Sequence, residues 1–85
     1  MSDWRWEYDP DKPNVVGGLP LKVVARVERI AAELAVVASL DVPDGAAYQG
    51  AGIKIREVAE PDLMVWYSTF PRLELVCVLR VQYSG

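Results

Sequence analysis

Histidine is absent from this chain of 85 residues, and cysteine occurs once, as Cys77. The first absence excludes imidazole acid–base chemistry and histidine-ligated metal. The second excludes an internal disulfide and any cysteine-spaced metal site. Cys77 lies in an apolar run, where a buried small hydrophobe is the expectation. Positive charge is also short: nine Lys and Arg stand against twelve Asp and Glu, a net charge of −3. Proteins that coat nucleic acid are usually basic. Anion binding here would therefore need a few cations focused on one patch. No apolar run approaches the ~20 residues of a membrane span. The first eight residues have neither a basic start nor an apolar signal-type stretch. These absences lead to the expectation of a cytoplasmic protein with no membrane association, no metal and no cofactor.

What is present is globular in type. Hydrophobic residues make up 52% of the chain and charged residues 25%, a balance that supports a packed core rather than disorder. The length fits one domain, residues 1–85, near the small end of what folds alone. Its core must be thin, so a permanent partner or a second copy would help it.

Periodicity divides the chain. Trp4, Trp6 and Tyr8 alternate with Arg5 and Glu7, as in a half-buried strand. Residues 9–14, with Pro10 and Pro13, read as a loop that Gly17 and Gly18 extend. Pro20 opens a helical pattern over residues 19–39. Its apolar stripe is Val23, Val24, Val27, Ile30, Ala31, Leu34, Val37 and Ala38, with Lys22, Arg26, Arg29 and Glu33 opposite. Three strands follow, at residues 52–58, 63–70 and 73–83, separated by turns at 59–62 and 71–72. The fold class expected is α+β: one main helix packed on a four-stranded, mainly antiparallel sheet. Trp4, Trp6, Val27, Ile30, Leu34, Ile55, Trp66, Leu75 and Cys77 are the expected core.

A symmetric turn at 59–62 would set Lys54 opposite Tyr67 and Arg56 opposite Val65. Strict alternation then puts Ile53, Ile55, Met64, Trp66 and Phe70 under the helix. Lys54, Arg56, Val65, Tyr67, Val76, Val78, Arg80 and Gln82 line the other face. Three cations, a phenol and an amide gathered there suit a phosphate-bearing ligand: Arg56 and Arg80 for phosphate oxygens, Lys54 for charge, Tyr67 for stacking. A solvated outer face is the competing reading. Val65, Val76 and Val78 point instead to a partner surface, for a second copy or another protein. Asp41 and Asp44 offer carboxylates, although both suit a turn.

The order of elements, with the segments LPLKVVARVERIAAEL, GIKIREV, VWY and LRVQY, resembles the RelE/ParE superfamily of toxins from bacterial toxin–antitoxin pairs. The likeness covers most of the chain, chiefly residues 19–33 and 50–83. It implies a toxin neutralised by a cognate antitoxin protein. Such toxins either inhibit translation by metal-independent cleavage of messenger RNA on the ribosome or, in the ParE branch, poison DNA gyrase. Carried over by position, Arg56 and Arg80 would stabilise phosphate charge, and Tyr83 would match a terminal tyrosine of the YoeB-type interferases. Lys54, Tyr67 and Gln82 would then contact the RNA. Two positions depart from the pattern. Gln82 stands where the YoeB type has histidine, and Met64 where many members have arginine. The same fold without nuclease activity, gyrase-directed or protein-binding, is the alternative that these departures leave open.

Overall fold

The computed structural model describes residues 3–40 and 55–85. Strand β1 (Arg5–Tyr8) is followed by a short helix α1 (Lys12–Val16) and a long helix α2 (Leu21–Leu40). Strands β2 (Ile55–Glu60), β3 (Leu63–Phe70) and β4 (Leu75–Tyr83) complete the chain. The architecture is α+β, with one long helix on a four-stranded sheet of order β1-β4-β3-β2. The sheet is mixed. The β2–β3 and β3–β4 pairs are antiparallel, whereas β1 runs parallel to β4. A parallel neighbour needs a long crossover, and the two helices after β1 begin that connection. Residues 41, 44 and 52–54, which include Lys54 and Ile53, lie outside the described residues.

The loop expected over residues 9–18 contains α1. Asp11 caps it, its side chain accepting from the Asn14 amide at 3.0 Å, and a proline occupies the first turn. Val15 and Val16 are buried by this turn. The expected start of β4 at residue 73 is also corrected. Residues Pro71–Leu73 form a single 3-10 turn, and Glu74 adopts a left-handed φ of 50°. Leu73 is left exposed.

The core lies between α2 and one face of the sheet. Val23, Val24, Val27, Ala31 and Ala35 are the buried positions of α2, spaced along one face of the helix. Val15, Val16, Leu63, Val65 and Val78 pack against this stripe, with Trp6, Tyr8, Val58, Val81 and Tyr83 at its margins. Each fully buried valine contributes about 1.5–3 kcal/mol of apolar transfer.

This placement reverses the expected faces. Val65, Val76 and Val78, read from the sequence as an exposed partner strip, are each 0% exposed. Ile55, expected in the core, is 62% exposed. Trp66, Trp4 and Leu34 are only half-buried, while Val27, Leu75 and Cys77 are buried as expected. Two causes are visible. Both faces of β3 are apolar, so alternation alone does not say which face the helix covers. A helix stripe of Val and Ala packs closest on a valine surface, and large rings at Trp66 and Phe70 would hold it off. In addition, Trp66 pairs with Arg80 but Tyr67 pairs with Val78, so Leu79 is an extra residue in β4. This bulge exchanges the two faces of β4 beyond Leu79.

Tyr8 ties β1 to the long helix. Its hydroxyl donates to Glu28 Oε2 at 2.9 Å, and Lys12 Nζ lies 3.2 Å from the same oxygen. The Trp6 ring meets Tyr8 edge-on, with centroids 5.0 Å apart. Burial, then the Glu28 hydrogen bond and charge, push the Tyr8 phenol well above its ordinary value of 10.0. The native state therefore keeps its proton where the unfolded chain loses it. This stabilisation is fully present below pH ~10 and declines as pH rises beyond it. Urea titrations from neutral to strongly alkaline pH should show wild type losing stability faster than Tyr8→Phe. Parallel curves would remove Tyr8 from the account.

Candidate functional site

The described helices pack on the valine side of the sheet, against β1, β3 and β4. The far face is laid out by register. Across its middle run Glu57, Trp66 and Arg80 on β2, β3 and β4. Beside them run Ala59, Met64 and Gln82. On the other side lie Ile55, Ser68, Cys77 and Glu7, then Phe70, Leu75 and Arg5. The face has two halves: Met64, Trp66, Arg80 and Gln82 are half-buried or exposed, whereas Ser68, Leu75 and Cys77 are buried. Its centre is the Trp66 ring, with Arg80 Cζ held 5.2 Å from the ring centroid. Cation–π attraction orients the guanidinium there and leaves its five donors for a ligand. At the rim, Arg5 Nε lies 3.3 Å from Glu7 Oε2, and Arg5 also donates to the Leu73 carbonyl at 3.4 Å.

The expected phosphate site is not assembled as the sequence suggested. Arg56 sits directly opposite Tyr67, and Tyr83 opposite Leu63, on the helix side of the sheet. Tyr83 packs against the core cluster there. Arg80 and Gln82 lie on the far face, carried across by the bulge at Leu79. Arg56, Arg80 and Tyr83 therefore do not converge on one phosphate, and Tyr67 is separated from Gln82 by the sheet. Lys54 lies outside the described residues. The turn between β2 and β3 is also tighter than expected. It holds only Pro61 and Asp62, so Arg56, not Lys54, faces Tyr67.

The register brings together the two positions that depart from the toxin pattern, and sets Trp66 beside Arg80. Met64 is the direct neighbour of Gln82, and Trp66 of Arg80. Neither methionine nor glutamine titrates. The remaining ionisable groups on the face are Glu57, Arg80, Cys77 and the Arg5–Glu7 pair. Burial first, then the nearby carboxylates of Asp9 and Glu7, raise the Cys77 thiol above its ordinary value. A thiol held protonated is a poor nucleophile. Glu57 and Trp66 were not singled out from the sequence as site residues. The available signal was the two-sided apolar pattern of LMVWYSTF, of which a single helix can cover only one side.

One cluster near the site is structural. Arg26 on α2 donates to both carboxylate oxygens of Asp62 at 3.0 Å each, and also to Glu60. This fork fastens the β2–β3 turn to the helix. Hydrogen bonds from Arg26 hold the Asp62 carboxyl below its ordinary 3.8. Its contribution is present above that value and is lost as pH falls through the lower folded value. Arg26→Gln should therefore lower the melting temperature at pH 7 and by much less near pH 2. An equal loss at both pH values would show that packing, not charge, is what Arg26 supplies.

No described helix is long and apolar enough to cross a membrane. Comparison of the chain with protein-family models, curated proteins and solved structures returned no match.

Proposed function

We propose that this domain is a RelE/ParE-like member of a toxin–antitoxin pair that acts by docking protein on the accessible half of its far sheet face, without nuclease chemistry of its own. The observation that carries the reading is the Trp66–Arg80 pair, beside Met64 and Gln82, on the accessible half of the far face. Support for the likeness comes from element order: a strand, two helices, then a three-stranded antiparallel meander. Cleavage without a metal needs one group to take the ribose 2′-hydroxyl proton and another to protonate the leaving oxygen. Met64 and Gln82 do neither. Tryptophan, arginine and methionine are the residue types enriched at the centres of protein interfaces. The occupant we assign is a segment of the cognate antitoxin, with apolar side chains for Trp66, Met64 and Phe70 around one carboxylate for Arg80.

One observation favours a second reading, messenger-RNA cleavage. Glu57 lies in the same row as Arg80. Two strand spacings separate their backbones by roughly 10 Å, a span that one phosphodiester with its ribose can bridge. Glu57 would take the 2′-hydroxyl proton and Arg80 would hold the phosphate, in place of Arg56 and Tyr83, with the leaving oxygen taking its proton from water.

The experiment is a paired one. The purified protein is added to translating ribosomes and the messenger is mapped for cuts. It is also titrated with the product of any small reading frame found to adjoin its own. Docking alone predicts an intact messenger and a complex weakened by Trp66→Ala. Cleavage that is abolished by both Glu57→Gln and Arg80→Ala would establish the second reading and reject the first.

A further inference from the structure

We infer that β2 is a self-association edge, pairing antiparallel with β2 of a second copy about a two-fold axis through Val58. The inference is independent of what occupies the far face. β2 is the outermost strand of the sheet, and its described ladder partner is β3 alone. Five of its six residues are exposed. The opposite edge, β1, has only four residues.

Backbone geometry says which groups are offered. Glu60 and Leu63 close a two-residue turn, so they exchange ladder hydrogen bonds with each other. Alternation then turns Val58 and Arg56 inward as well. The N–H and C=O groups of Ile55, Glu57 and Ala59 point away from β3, along the open edge. An antiparallel partner must match outward-facing residues with outward-facing residues. Two-fold registers are therefore limited to axes through single residues of this strand.

Side-chain charge chooses among them. An axis through Glu57 sets Glu57 against its own copy, and an axis through Arg56 does the same for Arg56. Both oppose like charges. An axis through Ala59 engages little more than the end of the strand and runs into Pro61, which has no N–H. With the axis at Val58, Arg56 faces Glu60 of the second copy, Val58 faces Val58, and Glu57 faces Ala59. The arrangement occurs twice by symmetry, giving two Arg–Glu pairs around a Val–Val contact and roughly four ladder hydrogen bonds. Arg26 occupies Glu60 Oε1 and fixes the turn. Glu60 Oε2 remains to accept from Arg56 of the second copy. Protected edges usually carry a bulge, a proline or inward-pointing charges. β2 has no proline or bulge, and its charges are self-complementary.

Sedimentation velocity across a concentration series tests this, with circular dichroism to verify folding of each variant. Wild type should show a concentration-dependent dimer. Arg56→Glu and Glu60→Arg should each weaken it by roughly tenfold or more, because each creates two like-charge pairs. An equimolar mixture of the two variants should restore the dimer. The new carboxylate at position 56 of one copy then meets the new guanidinium at position 60 of the other, and the native Glu60 of the first meets the native Arg56 of the second. Glu57→Pro removes an outward N–H that the fold does not use, and should give a folded monomer. A wild-type protein monomeric up to about 1 mM would overturn the inference. So would a dimer that persists in folded Glu57→Pro, or a variant mixture that fails to associate.

Discussion

Val65→Asp is expected to abolish cooperative folding, whereas Trp66→Ala leaves a folded protein with a measurable transition. The two residues are neighbours in β3 but point to opposite faces. Val65 is 0% exposed and sits between α2 and the sheet with Leu63 and Val78. Placing a carboxylate there, with no partner, costs several kcal/mol even after relaxation. A domain of this length has a total stability of about 4–13 kcal/mol on the usual per-residue scale. The substitution therefore consumes most or all of it. Leu63→Ala, at a position 2% exposed, should cost about 2–5 kcal/mol and stay folded. Trp66 is half-buried on the far face, and its loss opens no cavity under the helix. Circular dichroism and urea titration of the three variants decide the matter. A folded Val65→Asp beside an unfolded Trp66→Ala would mean that the helix lies on the other face.

The second large effect concerns binding. Trp66→Ala should weaken the proposed partner complex by about 2 kcal/mol or more, roughly thirty-fold in Kd. The reason is geometric. Trp66 stands in the middle row of the far face, flanked by Glu57 and Arg80 on either strand, so its ring is the part that a partner can desolvate most completely. Arg80→Ala should cost less, because an exposed cation–π contact is worth about 0.5–1 kcal/mol and the ring itself remains. Its effect should shrink at high salt, while that of Trp66→Ala should not. Arg56→Ala and Tyr83→Phe, on the helix side, should leave binding at the far face unchanged. Calorimetric titration of these four variants gives the ranking directly. If Arg56→Ala and Tyr83→Phe are the damaging changes, the partner binds on the other side of the sheet.

Much of the molecule was legible in the sequence. The long helix followed from the spacing of Val23, Val24, Val27 and Ala31, and β3 from the apolar and aromatic run of residues 63–70 between two turns. These are local matters, set by a period and by where proline, glycine and aspartate interrupt it. The absence of histidine and of paired cysteines bounded the chemistry just as directly.

Which side of the sheet became the core was decided only in three dimensions. Val65 and Trp66 are both apolar, and no local rule ranks them. The choice depends on what α2 offers, a shallow stripe of valine and alanine that mates with valines and leaves the rings outside. The bulge at Leu79 was equally invisible, because LVCVL is apolar at every position and so carries no alternation that an extra residue would break. That one extra residue moved Arg80 and Gln82 to the face opposite Arg56 and Tyr67. The residue types suited to holding an anion were thus plain from the chain alone. Their division between two faces was settled by strand register and helix packing, because these depend on contacts between segments far apart in the sequence.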